Sequence, residues 1–592
     1  MPPFIPISAA VQRCNALIII PIGSSSVSSM PFTKAIYANL YEDRFRPSHH
    51  NMDEQTITGN YVDIPNERIF PADVIIANGR IKSITELADP VEGYLLPGFI
   101  DAHVHVESSM LVPSEFARLA VTHGTVATIS DPHEIANVLG VEGVEYMIEN
   151  GKKVPFHFFF GAPSCVPATQ FETAGAVVDS HQVGALMERK EIVYLSEVMD
   201  FPGVLNGTFE VMKKIAHARR LDKPVDGHAP GLRGEDARKY IAAGISTDHE
   251  CFTAEEALDK LKYGMLIQIR EGSAAKNFDA LIGLLNDHAG KMMFCSDDKH
   301  PDGLVTGHIN VLCARAIAHG VDLFKVLRTA CCVPVEHYKL PVGQLRVSDP
   351  ADMILVKDLM HFRVLRTWIK GQLVAIDGNT LIKSVPAERP NNFNCSPKQV
   401  SEFKVPGTDK DLLVIEALDG QLITRKKYIA PTVIAGACVA DPTKDLLKIA
   451  VVNRYDNKPI ALGWITNFGL KRGAIAGSVA HDSHNIVAVG TNDEDLCTAI
   501  NLVIHERGGI SLANRDQHRI LPLPVAGIMT DADAHIVADA YAAMDREAKD
   551  LGSTLGSPYM TLSFMALLVI PHLKMSDLGL FDGDTFQLVK AL

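Results

Sequence analysis

Eight short apolar runs recur through the middle of the 592-residue chain, each followed by a helix-like stretch, and this rhythm leaves little choice of architecture. They are GFIDAHV ending near His103, TVATIS ending at Ser130, PFHFFFG near Phe160, IVYLSE ending at Glu197, VDGH at His228, ISTDH at His249, LIQIRE near Glu271 and MMFCSD at Asp297. Their spacing of about 20–35 residues is that of β-then-α units, and eight of them predict a (β/α)8 barrel. Two doubly wound halves, the alternative, would want a glycine-rich phosphate loop after the first strand, and no GxGxxG stands there.

Two β-rich patches flank this segment. ADVIIANGRIKSITEL, from Ala72, has alternating apolar residues around Asn78-Gly79, a strong hairpin signal. ADMILVKDLMHFRVLRTWIKGQLVAIDG fills Ala351 to Gly378. The expected organisation is therefore α/β: a composite β-sandwich from 53–96 and 340–384, and the barrel over 97–339. A Pro/Asn-rich linker over 385–404 leads to a separate α+β C-terminal domain over 405–592, long enough to bury its own core. In that third region LLVIEALDG and KIAVVNRY read as strands, and Glu494–Ile504 and Asp531–Ala548 as helices. Residues 1–52 read as a disordered extension or as a start placed too early, with Met30 and Met52 as later candidates. Their apolar Ala16–Ile22 run faintly imitates a signal peptide and is far shorter than the ~20 residues of a membrane span.

A net charge of -14, with Lys and Arg scattered, argues against a nucleic-acid partner and for a small neutral or cationic ligand. The ten cysteines form no CxxC pair, and Cys331-Cys332 is their one adjacent pair, which points to a reducing cytoplasm and no disulfide framework.

In a barrel the reactive side chains sit at the C-terminal ends of the strands. Strand one ends in FIDAHVHVESSM, where His103 and His105 share one face of the strand while Val104 points away. Later strands end at Glu197, His228, His249 and Asp297. A lone HxH is a weak motif, but four imidazoles and two carboxylates at five strand ends suit Zn, Mn or Fe.

The order HxH, strand-four carboxylate, His, His, Asp resembles the amidohydrolase superfamily. The wording LPGFIDAHVHVESSM, SDPHEIANVLG, LSEVMDFPGV, GHAPGLRG, STDHECF, IREGSAAKN, FCSDDKHPDGL and GLKRGAIAGSVAHDSHNIVAVG is similar to its adenine deaminase branch, from about Thr58 to the C-terminus. The resemblance implies two divalent ions, Mn2+ or else Fe2+ or Zn2+. His103, His105 and Asp297 would hold one, His228 and His249 the other, and Glu197 would bridge them where many relatives carry a carboxylated lysine. It further implies hydrolytic deamination of adenine to hypoxanthine and ammonia in purine salvage, by a metal-activated hydroxide. Asp297 is the expected proton shuttle and Glu271 a second candidate for shuttle or purine contact, a salt bridge with Arg270 or a loop lysine being its structural alternative. Ser108, Asp131, His133 and Asp298 are expected at the purine pocket, which Asp131-Pro132-His133-Glu134 shapes; a helix cap is the plainer reading of Ser108 and a loop or helix start that of the Asp131–Glu134 stretch, while the family pattern favours Asp297 over the adjoining Asp298 as ligand. His481-Asp482-Ser483-His484 reads as a ligand cluster that reaches the active site from outside the barrel, holds a separate ion, or packs. The partner expected is a small purine base, with no nucleic acid or membrane, and the assembly a homodimer. The rivals are hydrolysis of a cyclic amide or N-acyl substrate, and a non-catalytic assembly protein on such a barrel. The HxE…PCxxC type of deaminase is excluded: His105-Val106-Glu107 matches its first half, but no PCxxC exists.

Overall fold

The computed structural model describes residues 54–515 and 517–590, which belong to one compact unit. The expectations for residues 1–52 lie outside the described residues.

The eight predicted runs are eight strands: β1 Phe99–Val104, β2 Thr125–Ser130, β3 His157–Ala162, β4 Ile192–Val198, β5 Val225–Gly227, β6 Thr247–Asp248, β7 Leu266–Arg270 and β8 Met292–Cys295. β1 to β5 pair in parallel, as do β6 to β8. Two links close the ring. Ser246 donates its N–H to Val225 O at 2.8 Å, and Asp297 donates to His103 O at 2.9 Å, with a parallel bridge at Val104–Asp297. Gly98 leads into β1 because only glycine fits there: a Cβ would lie 2.3 Å from Val126 Cγ1.

The flanking patches join in one eight-stranded sheet that includes Gln55–Asp63, Arg68–Ala77 and Arg80–Glu86 from the first and Met353–Val356, Val364–Ile369 and Gln372–Ile376 from the second. The predicted hairpin turns at Asn78 and Gly79, both with positive φ (52° and 75°), the geometry that matches the twist of the strands it joins. The sheet curls so that Ala351 N bonds Gly79 O at 2.9 Å and Ile81 N bonds Asp349 O at 3.0 Å, enclosing Val74, Ile76, Met353 and Trp368.

Residues 385–399 carry no helix or strand and lead to a second eight-stranded sheet, which contains Leu447–Val452, Ala474–Gly477, Ile486–Gly490 and Gly509–Asn514. Period-two alternation divides its faces. Ala450, Val452, Ala474, Ala476 and Ala488 pack under helix Asp493–Glu506, through Leu496, Ala499, Ile500 and Val503. Ile449, Val451, Ile475 and Val487 face the other way and join the barrel's hydrophobic core, with Val537, Tyr541 and Met544 of helix Ala534–Asp550. This shared core brings the loop between Gly477 and Ile486 to the barrel mouth.

Candidate functional site

Asp101 and His103 lie on the inward face of β1, and His105, the first residue beyond the strand, continues that period-two row. Asp101 anchors that face to β8 and beyond: Oδ1 accepts from Ser296 N at 2.9 Å and Oδ2 meets His308 Nε2 at 2.7 Å. On the far side Lys260 is buried and holds Asp248 Oδ2 at 2.8 Å, which sets the end of β6. Asn277 then fixes two neighbours at once. Its Nδ2 donates to His249 O at 2.9 Å, and its Oδ1 accepts from Arg270 N at 2.7 Å.

These anchors converge the predicted residues. His103 Nε2 is 3.2 Å from His105 Nε2, and Asp297 Oδ1 lies 3.5 Å from the first and 3.1 Å from the second. Ligands ~2.1 Å from a common cation sit about 3.0–3.4 Å apart, so this triangle fits one. Glu197 divides its oxygens: Oε2 is 2.9 Å from His228 Nδ1 and 3.1 Å from His249 Nε2, whereas Oε1 faces His105 Nε2 at 3.6 Å and His133 Nδ1 at 3.5 Å. The His103 and His249 rings stack at 4.1 Å. Groups able to hold an ion therefore include His103, His249 and Asp297, and Glu197, His228 and His249.

The electrostatics agree with that donor set. Burial alone would raise the Glu197 carboxyl, but His228 and His249 hold it well below the usual range. Burial likewise opposes charge on Asp297, yet Arg270, His103 and His105 keep it well below its ordinary value. His249, though buried, is drawn well above the usual imidazole range by Glu197 and Glu250, and His105 by Asp297 and Asp298. The cluster thus demands positive charge at its centre, which protons on the imidazoles or divalent cations satisfy.

Other expected residues fall as follows. Ser108 Oγ donates to Asp298 Oδ1 at 2.5 Å, and both are buried. Asp131 Oδ2 accepts from Glu197 N at 3.3 Å and lies 3.2 Å from His133 Nδ1, so Asp131 and His133 back the Glu197 cluster directly. Glu107 is buried, accepts from Ile135 N at 3.2 Å and supports the helix after β2. Glu271 is not brought to the cluster. Its carboxylate pairs with Arg315 at 2.7 Å and lines a separate cavity with Ser273, Lys299 and His300. Nor does it pair with Arg270, which points inward to Asp297 Oδ2 at 2.7 Å and grips both oxygens of Glu250.

Three neighbours of the cluster escaped the sequence reading: Glu250, Arg270 as an inward cation, and the roof residue Phe564. For Arg270 a signal existed. Gln268, whose amide donates to Ala102 O inside the barrel, shares the period-two face of Arg270, and Glu271 falls on the opposite face. In the roof, the reach of the His481–His484 cluster toward the site was one of the expected alternatives, and Phe564 carried no such signal. His481 and His484 from the third region bind the two oxygens of Glu134, and Phe564 stacks on His481 at 4.6 Å and 13°. Leu422, Phe564 and Leu567 close the cavity over His105, Glu197 and Asp297.

Comparison with known proteins matches the geometry. Residues 94–374 match the Amidohydrolase family, and residues 421–587 the Adenine deaminase C-terminal domain. The chain is similar to an adenine deaminase of Salinibacter ruber, 54% identical over 536 residues, which are 90% of this chain and 98% of that one. It is 51% identical to one of Borreliella burgdorferi, over 91% of this chain and 100% of the relative, and 49% identical to one of Methanosarcina barkeri, over 90% and 99%. Among solved structures, the β-aspartyl dipeptidase of Fervidobacterium islandicum AW-1 aligns with 57% of this chain and 100% of its own, at 17% identity and a TM-score of 0.42. With about half of its residues shared with these relatives along nine-tenths of its length, the chain belongs to the adenine deaminase family, within the amidohydrolases.

Proposed function

We propose that this chain hydrolyses adenine to hypoxanthine and ammonia. The observation that carries the reading is the divided Glu197 carboxylate, with two imidazoles on each oxygen and the His103–His105–Asp297 triangle beside it. Adenine deaminase is also the name borne by the relatives that span the chain.

His103, His105 and Asp297 would hold one divalent cation and His228 and His249 a second, with Glu197 between them; Mn2+, Fe2+ and Zn2+ all suit this nitrogen-oxygen set. Bound there, such ions supply Lewis acidity and lower the pKa of water toward ~7. The chain's own groups do the rest. Arg270 keeps Asp297 ionised and oriented, 2.7 Å from its Oδ2. Asp297 is thereby placed to take a proton from the attacking water and return it to the purine, so that a C–O bond forms at C6, the C–N bond breaks and nitrogen leaves as ammonia. Asp298, held by the Ser108 hydroxyl, is part of the polar wall of this cavity, and Phe564, Leu567 and Leu422 form an apolar roof against which a flat base packs and water is excluded.

The same proposal divides the chain into a sandwich that carries the barrel's ends, a barrel that carries the ligands, and a C-terminal domain that roofs the site. The nine described cysteines are unpaired, which supports a reducing cytoplasmic setting, and among the described residues no helix is long and apolar enough to cross a membrane.

The test is ammonia release from adenine by Mn-loaded protein, beside ring opening of cyclic amides and metal analysis, in wild type and Glu197→Ala. Ammonia from adenine in the wild type, lost together with metal in the variant, is the expected result. A variant with unchanged metal and rate removes Glu197 from the centre. A wild type that opens cyclic amides and releases no ammonia overturns the substrate.

A further inference from the structure

We propose that the chain binds a further divalent first-row cation in the pocket made by His133, Glu134, His481 and Asp482, a site that adjoins the Glu197 cluster and shares His133 with it. The count of ions depends on the two-metal reading above; the site itself does not.

The pocket lies where the 478–485 loop of the C-terminal sheet meets helix His133–Leu139 after β2, and all four residues are buried. His484 is already committed. Its Nδ1 accepts the N–H of Ala480 at 3.3 Å, so its Nε2 carries the proton and donates to Glu134 Oε2. Glu134 Oε1 remains, and His481 Nδ1 stands against it. An N–H proton of His481 fills that contact when no ion is bound, and a cation in the pocket would take the proton's place. His133 Nε2 is 3.6 Å from the same Oε1 and 3.7 Å from Asp482 Oδ1, within a few tenths of an ångström of ligand spacing around one cation. The ligand-forming atoms of His133, Glu134 and Asp482 all lie within 4.8 Å of one another.

Charge points the same way. Glu134 and Asp482 have only histidines as ion-pair partners among the described residues, with neither lysine nor arginine within 4.0 Å. Asp482 Oδ2 is also buried without a hydrogen-bond partner. Two buried carboxylates with no fixed cation are costly unless an ion or protons balance them. Two imidazoles with two carboxylates are a donor set for Mn2+, Fe2+ or Zn2+. The ion would clamp the barrel to its roof, since Glu134 and His481 are 347 positions apart in the chain. It would also sit across the His133 ring from Glu197, whose Oε1 faces Nδ1 at 3.5 Å. The rival occupant is a proton on His481.

The experiment loads the full chain with Mn2+ alone, desalts it and counts metal per chain in wild type, Asp482→Asn and Glu134→Gln. The expected wild-type content is about three ions, and about two in each variant, with native circular dichroism. A loss of one ion in the variants supports the site whatever the wild-type total; the number left behind judges the two-metal reading separately. Equal content in wild type and both variants overturns the proposal and leaves the proton as the occupant, and so does loss of every ion from a folded variant. Should those variants not fold, His481→Asn takes their place: one ion fewer than the wild type supports the site, and equal content overturns it.

Discussion

Replacing Arg270 with Met tests how this site keeps its acid ionised. The guanidinium is buried and faces Asp297 Oδ2 at 2.7 Å and Glu250 Oε2 at 3.0 Å. At an effective dielectric of about 20 each contact carries roughly 6 kcal/mol of Coulomb attraction, and desolvation of the three charges offsets much of it. Removing one partner of such a buried group costs about 3–5 kcal/mol, because Glu250 and Asp297 are left without their cation. Part of that cost is relieved by protonation, and the sign follows. Arg270 holds Asp297 below its ordinary pKa, against burial, so its loss raises that pKa and the ionised carboxylate persists only at higher pH. If only about 1.4–3 kcal/mol of the lost attraction appears in the titration, the shift is one to two pH units. The assay is ammonia release from adenine across pH at saturating Mn2+, with metal content measured alongside. The acid limb of kcat/KM should move up by one to two units while bound metal is retained, since removing a neighbouring cation does not weaken a dication site. An acid limb that stays in place, in a variant with full metal content, refutes the assignment of Arg270 as the group that keeps Asp297 ionised.

Other outcomes follow from the same geometry. Burial raises Asp226, bonded to Tyr338 at 2.7 Å, to about 7, so its proton is held in the fold and released from the unfolded chain between its ordinary pKa and about 7. That contribution to stability is complete below the unfolded pKa and lost as pH rises through about 7; Asp226→Asn should flatten the fall, by up to about 3 kcal/mol, in melting curves taken at pH 5 and pH 8. An unchanged pH dependence of melting would contradict it. Phe564→Ala, which removes the ring stacked on His481, should raise KM for adenine on the order of tenfold with a smaller change in kcat, and equal KM values would remove Phe564 from the substrate wall. Glu271→Gln should change kcat/KM only slightly because the carboxylate faces Arg315; a loss of about 10²–10⁴ would return Glu271 to the chemistry. Gly98→Ala should destabilise by about 1–3 kcal/mol, read by thermal melting, because the new methyl meets Val126 at 2.3 Å.

Much of this protein is written locally. The eight strands follow from short apolar runs at regular spacing, each followed by a helix-like stretch, and the Asn78-Gly79 turn from residues that accept positive φ. Strand alternation aims His103 and His105 together, and it also assigns Arg270 inward and Glu271 outward, although the family resemblance made Glu271 a second candidate for the chemistry. These features rest on interactions between residues two to four positions apart, which any reader of the chain can see.

Tertiary structure decided the rest. The division of Glu197 between two histidine pairs depends on the closing of a ring, and the grip of Arg270 on Glu250 and Asp297 on the angle between three strands. The roof comes from residues more than 300 positions beyond the helix it meets: His481 and His484 reach Glu134 only because one face of a distant sheet packs into the barrel's core. Period and composition fix which way a side chain leaves its own strand. They carry no information about which buried carboxylate waits on the other side, and that pairing is what separates a set of candidate ligands from a site.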